Sequence, residues 1–125
     1  MHITSPIKEL VTVEQVDGII LCVLESETVD LNIAKMGVAH RVKLYGDKDY
    51  PILVRIKNVK HITKEAREYL ASKDGCNKVK CGAIIIDSIV MSVIANFFLQ
   101  INKPLVPTKL FTNKESAIDW LNTFK

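Results

Sequence analysis

Ala83-Ile-Ile-Ile-Asp-Ser-Ile-Val-Met-Ser-Val-Ile-Ala-Asn-Phe-Phe-Leu-Gln-Ile101 is the stretch on which the fold turns. A run this long and apolar can cross a membrane as one helix, or hold a buried strand followed by a helix packed on a core. Asp87 and Ser88 fall near its start, where a spanning helix would carry a charge into lipid. Ser92, Asn96 and Gln100 then recur every four residues, a polar stripe along one helix face. The pattern therefore predicts a buried strand over 83–86, a Ser88 cap, and a core-packed helix to about residue 101. No membrane span is expected.

On either side of this stretch, apolar strand-like runs alternate with amphipathic helix-like runs, the mark of a mostly parallel sheet crossed by helices. Residues 7–15 alternate, with Val11 and Val13 on one face, and Asp17-Gly18 supplies a hairpin turn before a strand at 19–24. That strand is apolar on both sides and should be central, with helices on each face. Thr28 or Asp30 can cap a first helix in which Leu31, Ala34, Val38, Val42 and Tyr45 keep helical spacing, and Gly46 should end it as a left-handed residue.

Pro51 opens a strand at 52–56, and Thr63 caps a second helix with Ile62, Ala66, Tyr69 and Leu70 inward and Lys64, Glu65, Arg67 and Glu68 facing water. Asn102-Lys103-Pro104 stops the long apolar helix. An edge strand at 108–111 follows, and Asn113 caps a last helix with Ala117, Trp120, Leu121 and Phe124 on one face. Trp120 should be mostly buried. With 125 residues and no internal repeat or linker, the expectation is a single α/β domain over 1–125 with an N-terminal β-hairpin.

Composition narrows the function less than the fold. The chain is 48% hydrophobic and 25% charged, with a net charge of +3, too small by itself to imply a nucleic-acid or membrane partner. The charge is uneven. Residues 14–30 carry five acids and no Lys or Arg, whereas residues 55–80 carry eight Lys and Arg against three acids. Two such segments can be complementary patches that steer a charged partner or a weak homodimer. The three cysteines cannot all pair, and residues 1–10 do not resemble a secretory signal, so a cytoplasmic setting is expected.

No catalytic constellation emerges. The five glycines form neither G-x-G-x-x-G nor a P-loop, and Leu24-Glu25-Ser26 lacks the paired acids of a receiver-type phosphorylation site. Cys76 and Cys81 supply two of the four ligands a zinc site needs. Cys22 reads as a small buried hydrophobe, which removes it as a partner for His40 or His61. Neither an enzyme, a cofactor nor a bound metal is expected.

The segment Val54-Arg-Ile-Lys-Asn-Val-Lys-His-Ile-Thr-Lys-Glu-Ala-Arg-Glu-Tyr-Leu70 resembles the strand–loop–helix of the STAS domains, the anti-sigma-factor antagonist fold. Lys109-Leu-Phe-Thr-Asn-Lys-Glu-Ser-Ala-Ile-Asp-Trp-Leu121 resembles the closing strand and helix of the SpoIIAA-like proteins. In that family an Asp-Ser-Ser-Gly-type motif opens the helix. Here Thr63 stands at the Asp position, and Lys64, Glu65 and Ala66 replace Ser-Ser-Gly, so the phosphorylatable serine is missing.

The resemblance implies a bacterial, non-catalytic regulatory or protein-interaction module. Its docking surface would be Lys57, Asn58, Lys60, His61, Thr63, Lys64, Glu65 and Arg67, with the protein partner unidentified. A second reading stays open, a small-molecule or lipid-binding protein with a pocket between the sheet and the helix at 88–102. Asp87, Ser88, Phe97, Phe98 and Trp120 are its candidate lining. An open cavity lined by Phe97, Phe98 and Trp120 would favour this reading and a filled core the first.

Overall fold

A computed structural model describes residues 11–125 of the chain. The expected start of the hairpin at 7–10 lies outside the described residues.

Strand β1 (Val11–Val16) pairs antiparallel with β2 (Ile19–Glu25). Asp17 and Gly18 both take positive φ (52° and 79°). That combination suits a tight turn whose twist matches the flanking strands, and Gly18 adopts it without a Cβ penalty. A two-residue strand, β3 (Thr28–Val29), leads into helix α1 (Leu31–Tyr45), and of its two possible caps it is Asp30 that accepts from the Ile33 N–H (2.9 Å). Gly46 ends α1 at φ −96°, outside the left-handed region expected for it. It is required there for closeness, since a Cβ at Gly46 would stand 2.3 Å from the Val42 carbonyl oxygen.

Strand β4 (Tyr50–Lys57) is central, and a register shift between Tyr50 and Pro51 absorbs the proline. Then follow β5 (His61–Ile62), α2 (Lys64–Ala71), β6 (Val79–Ile85), α3 (Ile89–Phe97), β7 (Thr108–Phe111) and α4 (Lys114–Asn122). Thr63, Ser88 and Asn113 cap α2, α3 and α4 by accepting from the Ala66, Met91 and Ser116 N–H groups. The sheet runs β1-β2-β4-β6-β7, parallel from β2 onward, while β3 and β5 form a separate parallel pair. This pair is new relative to the sequence, where two residues are too few for any periodicity.

Alternation along the strands sends two sets of side chains to two faces. One set, with Ile19, Leu53, Cys81, Ala83 and Ile85, packs against Ala117 and Leu121 of α4. The other, with Ile20, Ile52, Ile56 and Ile84, faces α1, α2 and α3. Trp120 is half-buried, stacked at an angle between Phe111 (5.8 Å) and Phe124 (4.8 Å), whereas Ala117 and Leu121 are fully buried. The core anchor of the last helix is therefore Leu121, one residue past the expected tryptophan.

The long apolar stretch divides as expected into strand and helix, with two differences. The α-helix gives way at Phe98 to a π-helical turn (Phe98–Asn102), closed where Lys103, at φ 52°, donates to the Phe98 carbonyl. Beyond its buried face of Met91 and Ala95 and its polar stripe, α3 also turns an apolar row to solvent. Ile89 is 85% exposed and Phe97 47%, with Val93 and Ile101 between and beyond them. Among the described residues no helix is long and apolar enough to cross a membrane.

Candidate functional site: an apolar cavity walled by two arginines

Between the sheet and the three helices on its one face lies an apolar cavity of about 200 Å³, partly open to the surface. Its floor is built from alternate residues of the parallel strands, among them Cys22, Leu24, Val54 and Ile84. Ala34, Gly37 and Val38 of α1 roof it, and Met91, Ala95 and Phe98 close it from the side of α3. The space survives because residues facing it from opposite sides are small. A Cβ built on Gly37 would meet Val11 at 3.5 Å and one on Gly82 would meet Thr108 at 3.9 Å, both ordinary contacts.

Two charged side chains stand in this wall, Arg41 and Arg67. Arg41 is 5% exposed and donates from Nη1 to the Asn77 carbonyl (2.8 Å) and from Nη2 to the Gly75 carbonyl (3.3 Å). It thereby ties α1 to the loop after α2. Burial holds its pKa below the ordinary value, against the pull of Cys22, Cys76 and Tyr69. The Cys22 thiol, which lines the cavity, is pushed up to about 11 by burial, with Arg41 opposing. It is a protonated wall residue at neutral pH and a poor nucleophile.

Arg67 departs from its expected place on the wet face of α2. Its Nη1 donates to the Ile62 carbonyl (2.5 Å), its guanidinium lies 4.9 Å from the Phe97 ring centroid, and its Nε is buried without a partner among the described residues. An arginine spaced as a surface residue has folded its stem onto apolar neighbours, as long cationic side chains do.

The other expected surface residues adjoin one another along the β4–α2 connection. Lys57, Lys60, His61, Lys64 and Glu65 are exposed. Asn58, at φ 57°, donates to Glu25 (2.9 Å), and Glu25 is in register with Lys57. One end of the acidic segment thus meets one end of the basic segment inside the same molecule. The Thr63 hydroxyl is committed to the Ala66 N–H (3.1 Å).

Of the residues expected to line a pocket, Phe98 does so. Asp87 and Ser88 are exposed at the start of α3, Phe97 points outward under Arg67, and Trp120 belongs to the opposite face of the sheet. The structure does not bring these five together. Cys76 lines the cavity while Cys81 is buried on the α4 side, so the two do not form a ligand pair. Among the described residues no group of three His, Cys, Asp or Glu could hold a metal ion. A more open depression beside Thr112, Asn113 and Ser116 lies beyond β7.

Sequence reasoning missed Arg41 altogether. Its signal was a lone arginine in a run of α1 whose neighbours one turn away, Val38 and Gly37 before it and Tyr45 after, are all uncharged.

Among the described residues the architecture is four α-helices on a mostly parallel sheet with an antiparallel strand at its N-terminal edge, a SpoIIAA-like α/β fold. A solved structure of an uncharacterised DUF3478-family protein from Shewanella loihica PV-4, described as having a SpoIIAA-like fold, superposes with a TM-score of 0.57. The two share 18% identity over 89% of this chain and 91% of that one. At that identity the likeness concerns the fold alone. The chain itself belongs to the family described as a domain of unknown function, DUF7793, whose model matches residues 13–125. A protein of unknown function from Arthrobacter sp. FB24 is 25% identical over 90% of this chain and 97% of its own, with a TM-score of 0.32, too low to carry an argument. No curated protein matches the chain.

Proposed function

We propose that this domain is a non-catalytic binding module whose cavity takes one small apolar molecule. The observation that carries the proposal is the roughly 200 Å³ space between the sheet and α1, walled almost wholly by aliphatic side chains. Protein interiors close such gaps where they can. An apolar cavity of about 150 Å³ is already large enough to hold benzene. The high pKa of the Cys22 thiol on the floor makes it a poor nucleophile, which supports a binding role over a chemical one.

The test is an NMR titration of the labelled protein with benzene and with octanol. Shifts should cluster on the amides of Val54, Ile84, Gly37 and Met91. Spectra unchanged up to ligand saturation of the buffer would sink the proposal.

A second reading, the interaction module that the STAS resemblance implies, draws support from a different feature. The exposed row Ile89, Val93, Phe97 and Ile101 runs beside Arg67 and the basic connection at 57–67. Exposed apolar rows rimmed by charge are typical of docking surfaces. A second copy of the chain is the partner that can be tried first. Sedimentation should then show a weak dimer that Val93→Glu abolishes, and a monomer at millimolar concentration would remove self-association.

A further inference from the structure

Among the described residues Arg41 is a cation without a counter-ion. It is 5% exposed, and its two hydrogen bonds go to backbone carbonyls. A guanidinium has five N–H donors, and two of those on Arg41 are committed to these carbonyls. Among the described residues the titratable groups that face it are Cys22 from β2, Cys76 from the loop and Tyr69 from α2, with no carboxylate among them. The other charged residue of the wall is a second cation, Arg67, whose hydrogen bond also goes to a carbonyl. A buried charge is costly unless paired, and carbonyl dipoles offset that cost only in part. Among the described residues the wall carries two positive charges, no negative one, and an otherwise mostly hydrocarbon lining.

Two chemistries could balance this charge, a free inorganic anion or an anion with an apolar body. A small hydrated ion would leave the aliphatic floor facing water. An amphipathic anion satisfies both parts of the wall at once, its carboxylate accepting from the planar guanidinium fork and its body replacing the empty space. The volume limits the body to roughly six to ten carbons, by comparison with the ~150 Å³ cavity that takes benzene.

We propose that the cavity binds a medium-length alkyl or aryl carboxylate, its head on Arg41 and its body against Val54, Ile84 and Met91. This rests on the cavity being a ligand site, and it adds the class of ligand.

Octanoate and octanol, equal in chain length and different in charge, separate the two claims by calorimetry at pH 7. Octanoate should bind the native protein about tenfold or more tightly than octanol, the advantage of a charge-assisted pair. Arg41→Met should erase that preference, octanoate losing about tenfold or more in affinity relative to octanol. Equal binding of both ligands to the native protein would overturn the anionic head and leave the apolar cavity standing. Binding of neither would overturn both claims. Acetate or phosphate binding as tightly as octanoate would replace the amphiphile with a free-anion site.

Arg41 also clips the loop after α2, so Arg41→Met can loosen the fold. The octanoate-to-octanol ratio of the native protein needs no variant. A second readout is direct: octanoate should shift the Arg41 Nε–H resonance and octanol should not. An Nε–H signal unmoved at octanoate saturation would refute the pairing.

Discussion

Gly37→Ala is the sharpest probe of whether the cavity is real. Gly37 sits in the middle of α1, where glycine is about 1 kcal/mol worse than alanine through backbone entropy. The new methyl would meet Val11 Cγ2 at 3.5 Å and Cγ1 at 3.8 Å, contacts that need no movement. Burying one such group adds up to about 0.8 kcal/mol. The variant should therefore be more stable by about 1 to 2 kcal/mol, a rise in midpoint of roughly 3 to 8 °C for a domain of this size. Urea unfolding followed by far-UV circular dichroism gives the difference directly, provided the slope with denaturant is unchanged. A loss of stability would mean that α1 packs closer to β1 than the structure places it. No change would mean that the methyl meets a space already filled.

Three further outcomes follow from the packing. Leu121→Ala should cost about 2–5 kcal/mol in denaturant titration, and the half-buried Trp120→Ala about 1–2 kcal/mol; the reverse order would show that the face of α4 has been misassigned. Thr63→Ala should lose about 1 kcal/mol of stability with its cap, and Thr63→Ser should restore most of it. Burial raises the Cys22 thiol from an unfolded value near 9.0 to about 11. Its contribution to stability is complete below pH 9 and lost as pH rises toward 11, because the unfolded chain releases the proton first. Cys22→Ala should flatten that alkaline decline, and an unaltered slope would refute the assignment.

Most of the fold was legible because its signals are local. Ser88 and Asn113 each carry a side-chain oxygen where a helix must begin, and Asp17-Gly18 can turn a hairpin in only a few ways. Elements whose cause is not local were hidden. The pair β3–β5 exists because Lys60 and His61 donate to the Glu27 carbonyl across more than thirty residues. The π-helical turn after Phe97 leaves the apolar period of the sequence almost intact. Gly46 ends its helix by close approach to Val42, so a motif based on left-handed geometry found the right residue for the wrong reason. Trp120 and Leu121 are adjacent in the apolar stripe of α4, and size alone favoured the wrong one.

The site was less legible, because a cavity is made by what is small. Ala34, Gly37, Gly82 and Ala95 read as ordinary helix and strand residues, and nothing in their spacing says that three elements bring them around one space. The structure also shows that this space is not forced by crowding. Gly82, in a central strand where glycine weakens the sheet, has room for a Cβ with Thr108 as its nearest neighbour at 3.9 Å. Stability alone would favour a larger residue at both glycines, which is the pattern expected when an open space is kept for an occupant. Gly82→Ala should add about 0.5–1 kcal/mol. Combined with Gly37→Ala, whose methyl enters from α1 and not from the sheet, the gains should add within about 0.5 kcal/mol. Octanol affinity should fall with each step as the volume shrinks. Stability and affinity moving in opposite directions is the signature of a functional cavity. A double variant that gains stability and binds octanol as tightly as the native protein would place the ligand elsewhere.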